Sequence, residues 1–201
     1  MANDTCSTAI VMGDYDGCGR RKLISRLWAG DTFDFDTTLK RWETLSPYLF
    51  VKLDTGKRME LYLDLIYCRI EPGQRQTTYN TRFYKKAEAA VILYAVDAPQ
   101  TLTNAQETWA REARRLCSAD VPIVLLGVKA DLRTSFGGDT VSVENTQAVA
   151  TKIGNATAVE CSSLTGEGCK EFPVVVCESI LAHRRSTQAR FQFVAELDRE
   201  Q

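Results

Sequence analysis

The stretch from Ala9 to Leu27 constrains this chain more than any other. A short apolar run, Ala9-Ile10-Val11-Met12, leads into Gly13-Asp14-Tyr15-Asp16-Gly17-Cys18-Gly19. A basic amphipathic segment follows, Arg20-Arg21-Lys22-Leu23-Ile24-Ser25-Arg26-Leu27. The order is strand, glycine-rich loop, helix. Glycines let backbone N–H groups approach an anion closely, and a helix N-terminus favours negative charge, so a loop of this build can wrap phosphate. A plain strand-to-helix turn uses glycine in the same way. The loop alone leaves both readings open.

The loop is close to a P-loop and departs from it in chemistry. The P-loop pattern is Gly, four residues, Gly-Lys, then Ser or Thr. Here five residues separate Gly13 from Gly19. Arg20 stands at the lysine position, and Arg21 stands at the position of the magnesium-binding hydroxyl. Asp16 adds a carboxylate inside the cradle. Arg20, Arg21, Lys22 and Arg26 read equally as an exposed basic face and as residual phosphate contacts.

A chain of 201 residues is expected to form one compact domain with a full core. Net charge is −1, so the total gives no reason to expect nucleic acid or an anionic membrane as partner. Seven cysteines form no CxxC pair, and the single histidine, His183, has no cysteine at metal-ligand spacing. Neither zinc nor a disulfide framework is expected; the thiols read as small, reduced core residues. No apolar run reaches membrane-span length. The chain begins Met-Ala and ends Asp198-Arg199-Glu200-Gln201, without a myristoylation glycine or a prenylation cysteine. A cytoplasmic protein with no intrinsic anchor in this chain is the expectation.

Along the chain, the pattern predicts a polar lead-in over residues 1–6, a strand from Ser7 to Met12 and a helix from Arg20 to Ala29, capped by Gly30. Asp31 to Leu45 has no clean period and reads as a surface loop. A hairpin follows, with strands Tyr48–Leu53 and Met59–Ile66. Thr77 to Glu88 is helix-like. Ala90–Val96 is a continuous apolar run suited to a strand buried on both faces. Thr101–Cys117 reads as a helix with Ala105, Trp109, Ala113 and Leu116 inward. Val121–Gly127 is a second buried strand, and Thr134–Thr140 a glycine-rich loop. Helices Asn145–Ile153 and Glu167–His183 flank a short strand, Ala156–Cys161. The tail, residues 184–201, is polar with Phe191 and Phe193, and reads as either helical or mobile. Alternating strands and helices imply a three-layer α/β/α sandwich on a mostly parallel six-stranded sheet.

Two later motifs give that order of parts a family likeness. Leu126-Gly127-Val128-Lys129-Ala130-Asp131 resembles the guanine-specificity motif of the Ras superfamily of small GTP-binding proteins, (Asn/Thr)-Lys-x-Asp. Glu160-Cys161-Ser162-Ser163-Leu164 resembles that superfamily's last motif, Ser-Ala-(Lys/Leu). The likeness spans roughly residues 7–183, which implies one small-GTPase-like domain between the lead-in and the tail. Cys161-Ser162-Ser163-Leu164 leans towards the Rho proteins, although the long insert that Rho proteins carry after the base motif is missing.

The resemblance implies roles. Asp131 would accept from guanine N1 and N2, Lys129 would lie over the base, and the Ser163 N–H would donate to O6. Ser162 stands beside it in the same motif. Val128 replaces Asn or Thr and loses a polar tie to the phosphate loop. Gly13, Gly17, Gly19, Arg20 and Arg21 would be the remnant of the phosphate site. Arg is not a conservative replacement for the lysine, and Arg21 offers a hard cation no oxygen. The superfamily's Asp-x-x-Gly-Gln has no clear match: Asp64 needs a shifted register, and Gly73-Gln74 has Ile70 where the aspartate belongs. Thr38 is the candidate for the switch threonine.

These changes fall on the lysine, the hydroxyl and the Asp-x-x-Gly together. They imply a degenerate member, a pseudo-GTPase that acts as a protein-interaction module in signalling or trafficking. GTP or GDP would bind weakly, magnesium is not expected, and hydrolysis would be absent or very weak. The alternative is an atypical GTP-binding switch with slow or no hydrolysis.

Overall fold

A computed structural model describes residues 6–14, 17–29, 48–53, 55–56, 58–65, 84–135 and 140–197. Six strands form one sheet in the order β2-β3-β1-β4-β5-β6: β1 (Cys6–Met12), β2 (Tyr48–Lys52), β3 (Arg58–Leu65), β4 (Ala89–Ala95), β5 (Ile123–Val128) and β6 (Ala156–Glu160). Only β2 and β3 pair antiparallel; every other neighbouring pair is parallel. The expected three-layer sandwich is therefore the fold found.

The alternation along β4 explains the layers. Val91 and Leu93 face one side, with Ala9, Val11 and Leu23 of α1 (Arg20–Ala29). Ile92 and Tyr94 face the other, with Trp109, Ala113, Ala150 and Ile153. All seven residues of β4 are buried, which suits a central parallel strand covered on both faces. α5 (Phe172–Leu197) joins α1 on the first face. The second face is covered by α2 (residues 99–116) and by α4 (Val143–Ile153). α2 runs Pro99–Asn104, then a π-helical segment Ala105–Trp109, then Ala110–Leu116.

Several boundaries differ from the sequence pattern, each for a local reason. α2 begins at Pro99, whose missing N–H costs nothing in a first turn. α4 begins at Val143, because the Ser142 hydroxyl accepts from the Asn145 N–H and makes Ser142 the cap. β5 starts at Ile123, since Val121 N–H is used in a turn to the Ser118 carbonyl. Part of the expected glycine-rich loop is a short helix, α3 (Leu132–Ser135).

The largest correction concerns the final helix. It was expected from Glu167 to His183 and instead runs from Phe172 to Leu197. Gly166 (φ 88°) and Gly168 (φ 70°) are left-handed, so no right-handed helix passes through them. The polar tail continues the helix as far as Leu197, and His183 is not at a helix end. It lies mid-helix with Nε2 3.8 Å from Asp120 Oδ2. Most of the expected helix from Thr77 lies outside the described residues, as do Gly30, Thr38, Gly73 and Gln74.

Candidate nucleotide site

The parallel strands deliver their C-terminal ends to one edge of the sheet, where ligands of open α/β sheets bind. β1 delivers Gly13, β4 delivers Asp97, β5 delivers Val128 to Asp131, and β6 delivers Cys161 to Ser163.

The phosphate loop is packed at its two ends. Gly13 (φ 150°) sits against β4: a methyl group there would lie 3.0 Å from Leu93 Cβ. Gly19 (φ 68°) touches β5, since a methyl there would lie 3.5 Å from Val128 Cγ2. Val128, buried there, offers no polar tie of the kind that Asn or Thr would make. Gly17 (φ 81°) faces open space. Asp14 points to α2, where its carboxylate accepts from Trp109 Nε1 at 2.8 Å and Asn104 Nδ2 at 2.9 Å. The π segment, with its wider turn, ends at Trp109. Cys18 is buried, and burial raises its thiol pKa above the usual value; it is not an activated nucleophile. Arg20 and Arg21 open α1, the first half-buried and the second exposed. Tyr15 and Asp16 lie outside the described residues.

The base loops are cross-linked. Ala130 N–H donates to the Cys161 carbonyl at 3.1 Å, and Cys161 N–H donates to the Gly127 carbonyl at 2.7 Å. The buried Ser162 hydroxyl donates to Asp131 Oδ1 and accepts from the Thr165 N–H at 3.1 Å. Ser162 therefore aims the carboxylate that the sequence singled out, and Ser163 lies beside it, also buried. Lys129 has φ 63°, one of two non-glycine residues with positive φ among the described residues. Strain of this kind costs on the order of 1–3 kcal/mol and persists where surrounding contacts over-determine it. Those contacts include a bidentate ion pair: Lys129 Nζ lies 3.0 and 2.9 Å from the two oxygens of Asp97.

Sequence reasoning missed the supports beneath these loops. Arg133 Nε donates to Glu160 Oε2 at 2.7 Å, and its Nη1 to the Val141 carbonyl at 2.5 Å. Tyr94 Oη lies 3.1 Å from Glu160 Oε1 and 3.0 Å from Thr146 Oγ1. Gly127 has no side chain because Tyr94 fills that space; a methyl would lie 2.5 Å from its hydroxyl. Position was the available signal, since Arg133 follows Asp131 by two residues and Glu160 immediately precedes Cys161.

The structure thus brings Lys129, Asp131, Ser162 and Ser163 together, and places Gly19 against Val128 beside them. The base side fits guanine: a fixed carboxylate matches two N–H donors on one base edge. The described phosphate side fits magnesium poorly, because the first turn of α1 presents an exposed arginine where the hydroxyl ligand would stand. Asp64 is in β3, in register with Ile10.

Sheet order, glycine loop and paired base loops define the small-GTPase form of the P-loop α/β fold. A model described as the Ras family matches residues 72–182, which include both base loops. GTP-binding protein RHO2 of Saccharomyces cerevisiae is 42% identical over 180 residues, covering 86% of this chain and 88% of that protein. GTP-binding protein rho1 of Schizosaccharomyces pombe is 37% identical over 205 residues, covering 92% and 91%. The chain belongs to the Ras superfamily of small GTPases, among its Rho-like members. The leaning read from Cys161-Ser162-Ser163-Leu164 was in the right direction. Among the described residues no helix is long and apolar enough to cross a membrane.

Proposed function

We propose that this chain is a Rho-like protein-interaction module with a degenerate nucleotide site. The observation that supports this most directly is the start of α1. An exposed Arg21 stands where a magnesium-binding hydroxyl belongs, one residue after an arginine in place of the lysine. Phosphoryl transfer in this superfamily depends on lysine, magnesium and a positioned water acting together. Losing one well-placed charge contact costs about 2–5 kcal/mol, on the order of thirty-fold to several-thousand-fold in affinity. Guanine nucleotide is therefore expected to bind weakly and without need for magnesium, through the base side. Rho-family proteins bind regulators and effectors, and protein partners are the expected ligands here.

A second reading is an atypical switch that holds GTP and turns it over slowly or not at all. The Ser162–Asp131 clamp favours it, and so do the names of the relatives, which are GTP-binding proteins. Calorimetry with GTP and GDP, with and without magnesium, together with a phosphate-release assay, separates the two. Weak binding indifferent to magnesium is expected. Tight magnesium-dependent binding, or turnover above the buffer blank, would overturn the first reading. Partner capture by nucleotide-free, GDP-loaded and GTP-analogue-loaded protein should recover the same set.

A further inference from the structure

Asp97 and Lys129 stand side by side because the sheet puts them there. The Val96 N–H donates to the Val128 carbonyl at 3.1 Å, and Asp97 and Lys129 are the next residues along the two strands. Asp97 lies in the turn from β4 to α2, which is fixed on both sides of it. The Ala98 N–H donates to the Ala95 carbonyl at 3.0 Å, and the Thr101 hydroxyl accepts from the Ala95 N–H at 2.9 Å. Lys129 is left-handed and is not a glycine. Glycine would take that conformation without strain, so the reason for lysine lies in its side chain.

Two side chains of the β5 loop reach in opposite directions. Lys129 Nζ goes to the end of β4, 3.0 and 2.9 Å from the Asp97 oxygens. The Asp131 carboxylate goes to the loop after β6, where the Ser162 hydroxyl donates to it. Strands β4, β5 and β6 are neighbours, and neighbouring strands lie about 4.8 Å apart, so the two anchors are separated by roughly 10 Å. A planar bicyclic base fits that span, with its polar edge on the carboxylate and one face on the methylene stem of the lysine. Neither anchor comes from β1 or from the glycine loop. Asp97 also neutralises the ammonium, so this half of the cleft offers phosphate no free charge from Lys129.

We propose that Asp97 is a positioning residue for guanine: it stretches Lys129 across the end of the sheet as a fixed rail for the base, and so makes base recognition independent of the phosphate loop. The ligand of this half-site is the guanine base as such, and guanosine is held about as well as GDP. This rests on reading the cleft as a guanine site. Asp97 acts through Lys129 alone, whereas Asp131 reads the edge of the base.

Equilibrium dialysis of the full chain against guanosine, inosine and GDP tests the assignment. Inosine lacks the exocyclic amino group of guanosine, so the ratio of the two affinities reports Asp131 and not the rail. Guanosine and GDP should agree within about tenfold in the parent. Asp97→Asn keeps the shape and removes the charge. The pair is a quarter to a third exposed, so this change should weaken guanosine and inosine alike by about fivefold and leave their ratio as it was. Lys129→Met keeps an unbranched stem without the ammonium, and adding Asp97→Asn to it should change nothing further. An unchanged guanosine affinity in Asp97→Asn would overturn the proposal. So would a further loss in the double variant, or a falling guanosine-to-inosine ratio, since both mark a general disturbance of the base loops. GDP bound more than about tenfold tighter than guanosine would overturn the independence from the phosphate loop. A parent that binds none of the three ligands would overturn the guanine reading and the proposal together, whereas a parent that binds guanosine with a silent Asp97→Asn overturns the proposal alone.

Discussion

On the base side of the cleft, β5, β6 and their loops are tied by backbone bonds, by Ser162 to Asp131, by Lys129 to Asp97 and by Arg133 to Glu160. On the phosphate side, the ties include Gly13 close against Leu93, the Cys18 thiol on the Asp14 carbonyl, and one carboxylate, Asp14, held by α2. The difference bears on how firmly each half of the cleft is built into the fold. The base-side groups also hold the end of the sheet together, and a half-satisfied polar network in a protein interior is costly. Such groups persist for stability whether or not a base is bound. Arg21 is exposed, and a substitution there is expected to cost the fold little. On the proposed reading, the base motifs persist for stability, and the first turn of α1 is where nucleotide binding is decided.

The sharpest test of that contrast uses two glycines with the same handedness. Gly168 and Gly17 both have positive φ, at 70° and 81°. A methyl on Gly168 would lie 2.1 Å from the Glu160 carbonyl oxygen, whereas a methyl on Gly17 meets nothing within 4 Å. Gly168→Ala is expected to destabilise by roughly 4 kcal/mol or more, through backbone displacement. Gly17→Ala should cost only about 1–2 kcal/mol, the left-handed penalty alone. Urea midpoints measure both, and equal losses would break the comparison.

A smaller difference is expected from side chains. Ser162→Ala leaves the Asp131 carboxylate without its fixed donor and the Thr165 N–H without an acceptor. Hydrogen bonds to charged groups are worth about 1.5–3 kcal/mol, and a loss in that range is expected. Arg21→Ala on the opposite side should fall within about 0.5 kcal/mol of the parent. A Ser162→Ala protein as stable as the parent would show that the clamp is dispensable for folding.

Thiol ionisation probes burial on both sides with a defined sign. Burial raises Cys18, in the phosphate loop, above the ordinary thiol value near 9, and pushes Cys177 on α5 to about 11. Each contributes stability that is complete below pH 9. It is lost as pH rises from 9 towards the folded pKa, because the unfolded thiol has released its proton and the folded one has not. The slope is at most about 1.4 kcal/mol per pH unit per thiol. Cys169, held low, has the opposite sign: its contribution is present above pH 9 and fades as pH falls through its folded pKa. Melting curves from pH 8 to 11 should steepen downward in the parent and flatten in Cys18→Ala and Cys177→Ala. A slope unchanged by Cys18→Ala would mean that the phosphate loop is already open to solvent.

Much of this architecture was legible because it rests on periodicity and punctuation. The apolar run at β4 and the strand, glycine loop and helix from β1 to α1 each carry a local signal, and each was found within a few residues. The convergence of Lys129, Asp131 and Ser162 was legible only through motif order, since nothing in local pattern says that two loops 31 residues apart will touch. What stayed hidden was long-range and polar. Tyr94 reads as one more apolar-run residue, yet its hydroxyl joins Glu160 and Thr146. Trp109 reads as helix core and is buried, yet its N–H reaches the phosphate loop. The α5 boundary was missed because Gly166 and Gly168 were read inside or beside a helix rather than as left-handed turns.

The smallest expected effect concerns that reach from α2 to Asp14. If the tie to α2 is what fixes the phosphate loop, removing its two donors should loosen the loop in a coupled way. Trp109→Phe keeps the ring in the core and deletes only the Nε1 donor; Asn104→Ala deletes the other. Asp14 is half-buried, so water can replace part of what is lost, and each single change should cost about 1 kcal/mol. The two donors serve one carboxylate, so the double variant should differ from the sum of the singles by about 0.5 kcal/mol or more. Strict additivity would show that each donor acts alone on α2 packing and that Asp14 is held by something else. Coupling would show that the phosphate loop is positioned by the helix behind it.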